Sequence, residues 1–255
     1  MSAPLLAAFG VAGGAPPATV ESLRVLADGR ARAVVGSAWP DGTPQDEAGL
    51  YETTLAPDDL DALRALVADE GLRDAAGEHG PIRADSGRSA LSVGDEVKIR
   101  WGAFAQPPVP VGAAVALMRK LLVKVREHPV AVLRLAVVSG DGLTLELSNP
   151  GRERVRHSLL LPGTEPPRVA VAEPGDGPVP LSTYHAAVPV EGEPAGDELG
   201  PGETRTISVS APLEGDRPLI AFARGALEIP VDGRPVPLDL FLIARTKSHS
   251  GRPAG

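Results

Sequence analysis

Asp-Gly and Gly-Asp pairs set between short, alternating apolar runs constrain this chain more than any other feature. Glu21 to Ala27 and Arg30 to Ser37 flank Asp28-Gly29, two residues that tolerate the positive φ of a tight hairpin turn. Ser89 to Val93 and Glu96 to Trp101 lie either side of Gly94-Asp95, and Val130 to Ser139 and Leu143 to Leu147 either side of Asp141-Gly142. Each set predicts an antiparallel hairpin. Another turn is expected at Asp41-Gly42, followed by a strand over Gly49 to Leu55.

Two segments leave the period of two. In APDDLDALRALVADEGL, Pro57 suits a first helical position, and Asp58 and Asp59 sit where the helix dipole favours negative charge. Leu60, Leu63, Leu66 and Val67 share one face, and Gly71 is the expected stop. Between Val111 and Glu127, Val111, Ala114, Val115, Met118, Leu121, Leu122 and Val125 recur at helical spacing until His128-Pro129 ends the pattern. Beyond it only strand candidates follow: Val155 to Leu161, Arg168 to Ala172, Thr204 to Ser210, Leu219 to Ala223 and Leu238 to Arg245. The expected organisation is a flexible segment over 1–19, a small α+β domain over 20–128, an all-β sandwich domain over 129–246 and a flexible tail over 247–255.

The chain has 29 glycines and 27 prolines, close to a disordered composition, but a hydrophobic fraction of 43% argues that it folds. Aromatic residues make up only 3%, too few to furnish stacking platforms for single-stranded nucleic acid. The net charge of −8 disfavours broad attraction to phosphate backbones, so no nucleic-acid partner is expected. The absence of cysteine excludes thiol nucleophiles, iron–sulfur clusters and disulfides. No stretch approaches the length of a membrane span, and integral membrane association is not expected. Pro4 to Ala18 is apolar and small-residue-rich, with no Lys or Arg before it. It reads as an unstructured tail, or as a shortened export signal; the compartment is cytoplasmic on the first reading, and cell envelope or secreted on the second.

Candidate chemistry is sparse. No two of His79, His128, His157, His185 and His249 lie four residues apart, as zinc ligands on one helix face would. Glu78, His79 and Asp85 share a Gly-rich loop, but loops carry such residues for solvation. Ser182 and Tyr184 alternate to one strand side and His185 to the other, with no nucleophile elbow nearby. Glu191, Glu193, Asp197 and Glu198 read as a solvated loop, since the EF-hand spacing is missing. Phosphate-binding glycine motifs are missing as well, and no cofactor is expected. Trp39 and Trp101 are read as core anchors. In GRERVRHS, alternation would project Arg152, Arg154 and Arg156 from one strand face with His157 beside them. This stripe is the candidate partner-binding surface, and a charged outer face that discourages edge pairing is its plain structural reading.

Two resemblances accompany these patterns. GLYETTLAPDDLDALRALVADEGLRD followed by SALSVGDEVKIRW and a helix after paired prolines resembles bacterial α+β domains of unknown function in its element order. LTLELSNPGRERVRHSLLLPG and LGPGETRTISV, with turns at Asn149-Pro150-Gly151 and Pro201-Gly202-Glu203, resemble hairpins of bacterial immunoglobulin-like modules, without the cysteine pair of the antibody-type branch. The second resemblance implies a β-sandwich that binds or spaces. The expected function is therefore a soluble, non-enzymatic binding or scaffold protein acting on a protein partner with an acidic surface. The alternative is a hydrolase or metal-dependent enzyme with a site between the domains, drawn from His79, Asp85, Ser182 and His185.

Overall fold

The computed structural model describes residues 3–13, 19–36, 46–80, 87–102, 105–139, 142–159, 164–171, 184–190, 197–213 and 218–246. Strands hold 55% of them and helices 17%, so the protein is β-rich with few helices. None of the described helices is long and apolar enough to cross a membrane. The chain forms two compact units, one from residues 1–38 and 49–130, the other from 39–48 and 131–255.

In the first unit, β1 (Leu5–Gly13), β2 (Thr19–Leu26), β3 (Arg30–Val35), β4 (Glu47–Thr54), β5 (Gly77–His79), β6 (Arg88–Val93) and β7 (Val97–Gly102) follow the spatial order β4-β3-β2-β1-β6-β7-β5. Both hairpins expected here form: β2 pairs with β3 around Asp28-Gly29, and β6 with β7 around Gly94-Asp95. Alternation puts Leu23 and Val25 of β2, Ala31, Ala33 and Val35 of β3, and Ile99 and Trp101 of β7 in the core. Trp101 is the anchor its residue type suggests; Trp39 lies outside the described residues.

The helices are α1 (Pro57–Val67), α2 (Glu70–Asp74) and α3 (Gly112–Val125), the last entered through a single 3-10 turn at Val109–Val111. Their apolar stripes are buried, through Leu60, Leu63 and Val67 on α1 and Val115, Met118, Leu121, Leu122 and Val125 on α3. Lys124 of α3 closes on both carboxylate oxygens of Asp59 in the first turn of α1, at 2.7 and 2.6 Å. Gly71 does not stop the first helix as expected. α1 ends one turn earlier, and the Asp69 carboxylate accepts the Gly71 N–H at 2.8 Å, capping a new short helix that contains Gly71.

The N-terminal segment departs most from expectation. Residues 5–13, read as part of a flexible segment, form β1, which lies between β2 and β6 and pairs with both. The small residues that made the stretch look like a tail suit a strand flanked on both sides: Ala7 and Phe9 are buried, and Gly10 stands opposite Ser22 on one side and Ala90 on the other. Short β5 was also read as loop. It runs parallel to β7, with His79 opposite Trp101.

The second unit contains β8 (Pro129–Ser139) from Ala131 onward, β9 (Leu143–Ser148), β13 (Val188–Pro189) and β15 (Thr204–Ser210), in the order β13-β15-β9-β8. A further sheet runs β12-β11-β16-β10-β14, from β10 (Val155–His157), β11 (Arg168–Val171), β12 (His185–Ala186), β14 (Glu198–Leu199) and β16 (Leu219–Val231), with β17 (Arg234–Arg245) on β16. All of these pairs are antiparallel. The β8–β9 hairpin forms as expected, and two of the crossings between the units fall inside strands, between residues 48 and 49 of β4 and between residues 130 and 131 of β8. The tail expected over 247–255 lies outside the described residues.

β16 and β17 are longer than the sequence suggests, at 13 and 12 residues. They join through Asp232-Gly233, whose φ values of 52 and 74° suit a two-residue hairpin. Asp232 is the only described non-glycine residue with positive φ. Three prolines, Pro230, Pro235 and Pro237, hide this hairpin from pattern reading. They are accommodated by register: Thr246 donates its N–H to Leu219 at 2.9 Å, and alternation then turns the nitrogens of residues 235 and 237 away from β16.

β1 generates a direct test. Deleting residues 1–13 should abolish the cooperative thermal transition of the first unit, followed by circular dichroism, and Phe9→Ala should cost roughly 3–5 kcal/mol in chemical denaturation. A truncated chain that melts like the full one would show β1 to be dispensable.

Candidate functional site

The basic run GRERVRHS follows the Asn149-Pro150-Gly151 turn, and that turn is built around one amide. Asn149 is 0% exposed. Its side-chain oxygen accepts the Gly151 N–H at 2.9 Å, closing an Asx turn. Its side-chain nitrogen lies 2.7 Å from the Glu153 carbonyl and 3.2 Å from each of the Leu199 and Gly200 carbonyls. Its backbone donates to Glu203 at 2.9 Å and accepts from Gly202 at 2.8 Å. The two turns on which the immunoglobulin-like resemblance rests, 50 residues apart in sequence, are therefore tied together through this one residue.

The arginines emerge from this support. Only Val155–His157 is strand, so Arg152 sits in the preceding turn and Arg154 and Arg156 flank buried Val155 on the outer side. Arg154 and Arg156 are 64% and 55% exposed. Each faces acids of its own chain: Arg154 reaches Glu198 at 2.9 Å, and Arg156 reaches Asp197 at 3.2 Å and Glu228 at 3.9 Å. The hydrogen bond from Arg156 holds the Asp197 carboxyl below its ordinary range, and the same bond raises the guanidinium's own pKa. Asp197 and Glu198, read as part of a solvated acidic loop, serve here as counter-charges.

His157, grouped with the arginines as partner-binding, does not share their face. Alternation turns it inward with Val155, and it is 4% exposed. Burial depresses its pKa to about 4, with the Arg205 guanidinium acting in the same direction and Asp197 opposing both. Its Nδ1 accepts the Leu159 N–H at 3.4 Å, which leaves the proton on Nε2, an atom with no partner among the described residues. Arg205 donates Nη2 to the Glu198 carbonyl at 3.0 Å, and its Nη1 is likewise buried without a partner among those residues. Just beyond, Ser158 exchanges hydrogen bonds with Ala226 of β16 at 2.8 and 3.0 Å. This crossing needs Gly225, because a Cβ there would meet the Ser158 hydroxyl at 2.8 Å and Leu159 at 2.9 Å.

His79 lies 2.7 Å from the Ala75 carbonyl, and Glu78 pairs with Arg100 at 3.4 Å. His185 is exposed on β12, while Tyr184 packs edge-on against Phe222 at 4.7 Å, its burial raising the phenol pKa. Asp85, Ser182, Glu191, Glu193 and His249 lie outside the described residues. Among the described residues no group of three or more His, Asp or Glu could hold a metal ion. Sequence reasoning missed the acids facing the arginines and the role of Arg205. Local pattern gave no signal for either, because the partners come from segments 41 to 72 residues away.

Chemically, the site displays two guanidiniums whose carboxylate partners fix their direction while other N–H donors face solvent. That arrangement suits recognition of a planar acceptor such as a carboxylate. Two measurements test its support. Asn149→Ala should destabilise the second unit by roughly 2–4 kcal/mol, since several buried bonds are lost and carbonyls are left unpaired. Asn149→Asp should do more harm, because it turns an acceptor toward three carbonyls. For His157 the folded pKa lies below the unfolded value of 6.5, so stability is complete above that pH and falls as the unfolded chain takes up the proton, levelling below about 4. Between pH 7 and 5 the loss should be about 2 kcal/mol, and urea titrations of His157→Leu should lack that part of the slope.

No family model, no curated protein and no solved structure matches this chain.

Proposed function

We propose that the protein is a non-enzymatic binding or scaffold protein that engages an acidic protein surface through Arg154 and Arg156. The observation that carries this reading is the pair of exposed guanidiniums at the start of β10, each directed by acids from distant parts of the chain and flanked by the buried Asn149 and His157. A guanidinium held in one direction loses less entropy on binding than a free surface lysine.

In this reading the second unit is an immunoglobulin-like sandwich module and the first an α+β domain. Supporting the former are the two sets of antiparallel strands and the joined turns at Asn149 and Gly202. Supporting the latter are the three helices whose apolar stripes are buried in the unit that holds β1 to β7.

The experiment is site-specific photo-cross-linking from position 152, with exposed Val109 as the control position, followed by mass spectrometry. An acid-rich protein should be captured from position 152 only. Arg154→Gln with Arg156→Gln should then slow association several-fold at low salt, and the difference should shrink as salt screens the charges over about 8 Å. Capture equal from both positions, or rates unchanged by the double variant, would overturn the reading.

A further inference from the structure

α1 and α3 lie side by side and run in opposite directions. Lys124 in the last turn of α3 grips Asp59 in the first turn of α1 at 2.6 Å. At the other end, a Cβ on Gly71 of α2 would stand 3.4 Å from Pro110 in the turn that enters α3. These two contacts set Ala62 level with Lys120 and Leu121, and Ala65 level with Leu117 and Met118. Each helix also carries a second stripe on the side away from its buried one: Asp58, Ala62 and Ala65 on α1, and Ala113, Ala116, Lys120 and Val123 on α3. All of these residues are exposed, and Val123 is so by 65%, unusual for a large apolar side chain. Charge divides between the stripes. α1 presents Asp58, and its base Arg64 is held by Asp61 and the Ala27 carbonyl, whereas α3 presents Lys120 with exposed Arg119 beside it. Glu127 lies past the end of α3, level with the residues that precede α1.

We propose that this two-helix face docks on the same face of a second copy of the chain, about a two-fold axis parallel to the helices. Such an axis lays α1 of each copy over α3 of the other and keeps every residue at its own level. Ala65 and Ala62 of one copy then meet Ala116 and Lys120 of the other. Alanine on both sides lets the helices approach closely. The Lys120 stem lies along Ala62, and its ammonium reaches toward Asp58 one turn away. Val123 is covered by the first turn of the second α1. The axis produces each of these contacts twice, so that the acidic helix sits over the basic one at both places. Charge selects this arrangement, because an axis across the helices would set α1 on α1 and α3 on α3, acid against acid and base against base.

The test is the oligomeric state of the full chain by analytical ultracentrifugation over a range of concentrations. The wild type should dimerise. Ala62→Arg and Ala116→Arg each put a long side chain on the stripe at an exposed position where arginine is a good helix former, and each should give a monomer with an unchanged circular dichroism spectrum. Lys120→Asp and Asp58→Lys, which set like charges against each other twice, should each weaken the dimer about tenfold or more, and the chain carrying both should recover it. Arg154→Gln with Arg156→Gln should leave the dimer intact, which separates this face from the arginines of β10. A wild type that stays monomeric up to its solubility limit overturns the proposal. So does a dimer that survives both folded arginine variants, a folded double charge variant that does not re-form it, or its loss on replacing Arg154 and Arg156.

Discussion

One buried amide carries the organisation of the second unit. Asn149 leaves β9, closes the turn ahead of β10, and holds the chain that leads from β14 into β15. Each of its hydrogen-bonding groups has a partner in the protein. An apolar residue of similar size would strand the carbonyls of Glu153, Leu199 and Gly200 away from solvent, which is costly in a low-dielectric interior. The position of β10, and with it the direction of Arg154 and Arg156, follows from this amide.

How far the fold was legible depended on where the information lay. Asp28-Gly29, Gly94-Asp95 and the alternation around them are local, and the hairpins there form as the pattern requires. The stripes of α1 and α3 are likewise local: α3 keeps its expected bounds to within two residues, whereas α1 ends one turn before the expected stop at Gly71. β1 was illegible because alanine and glycine carry no strand propensity; its state is decided by the two neighbours that pair with it. β17 was shortened in the reading by Pro235 and Pro237, whose tolerance depends on which way their nitrogens face.

The site divides in the same way. That Arg154 and Arg156 would project together followed from the period of two, and so did the inward turn of His157, since it stands next to Arg156. What alternation could not supply was the acidic setting. Glu228 comes from β16 and Asp197 from the approach to β14, so the stripe that reads as basic along the chain is nearly neutral in space. A partner is therefore distinguished by the geometry of its acceptors more than by its total charge.

The residue after Asn149 has a consequence for the lifetime of the molecule. Asparagine side chains degrade chiefly when the backbone nitrogen of the next residue attacks the amide carbon and forms a cyclic imide. Here that nitrogen belongs to Pro150 and carries no hydrogen, so this route to deamidation is closed at the one amide whose conversion to a carboxylate would set an oxygen against three carbonyls. The proline that shapes the turn thus also protects it against chemical ageing.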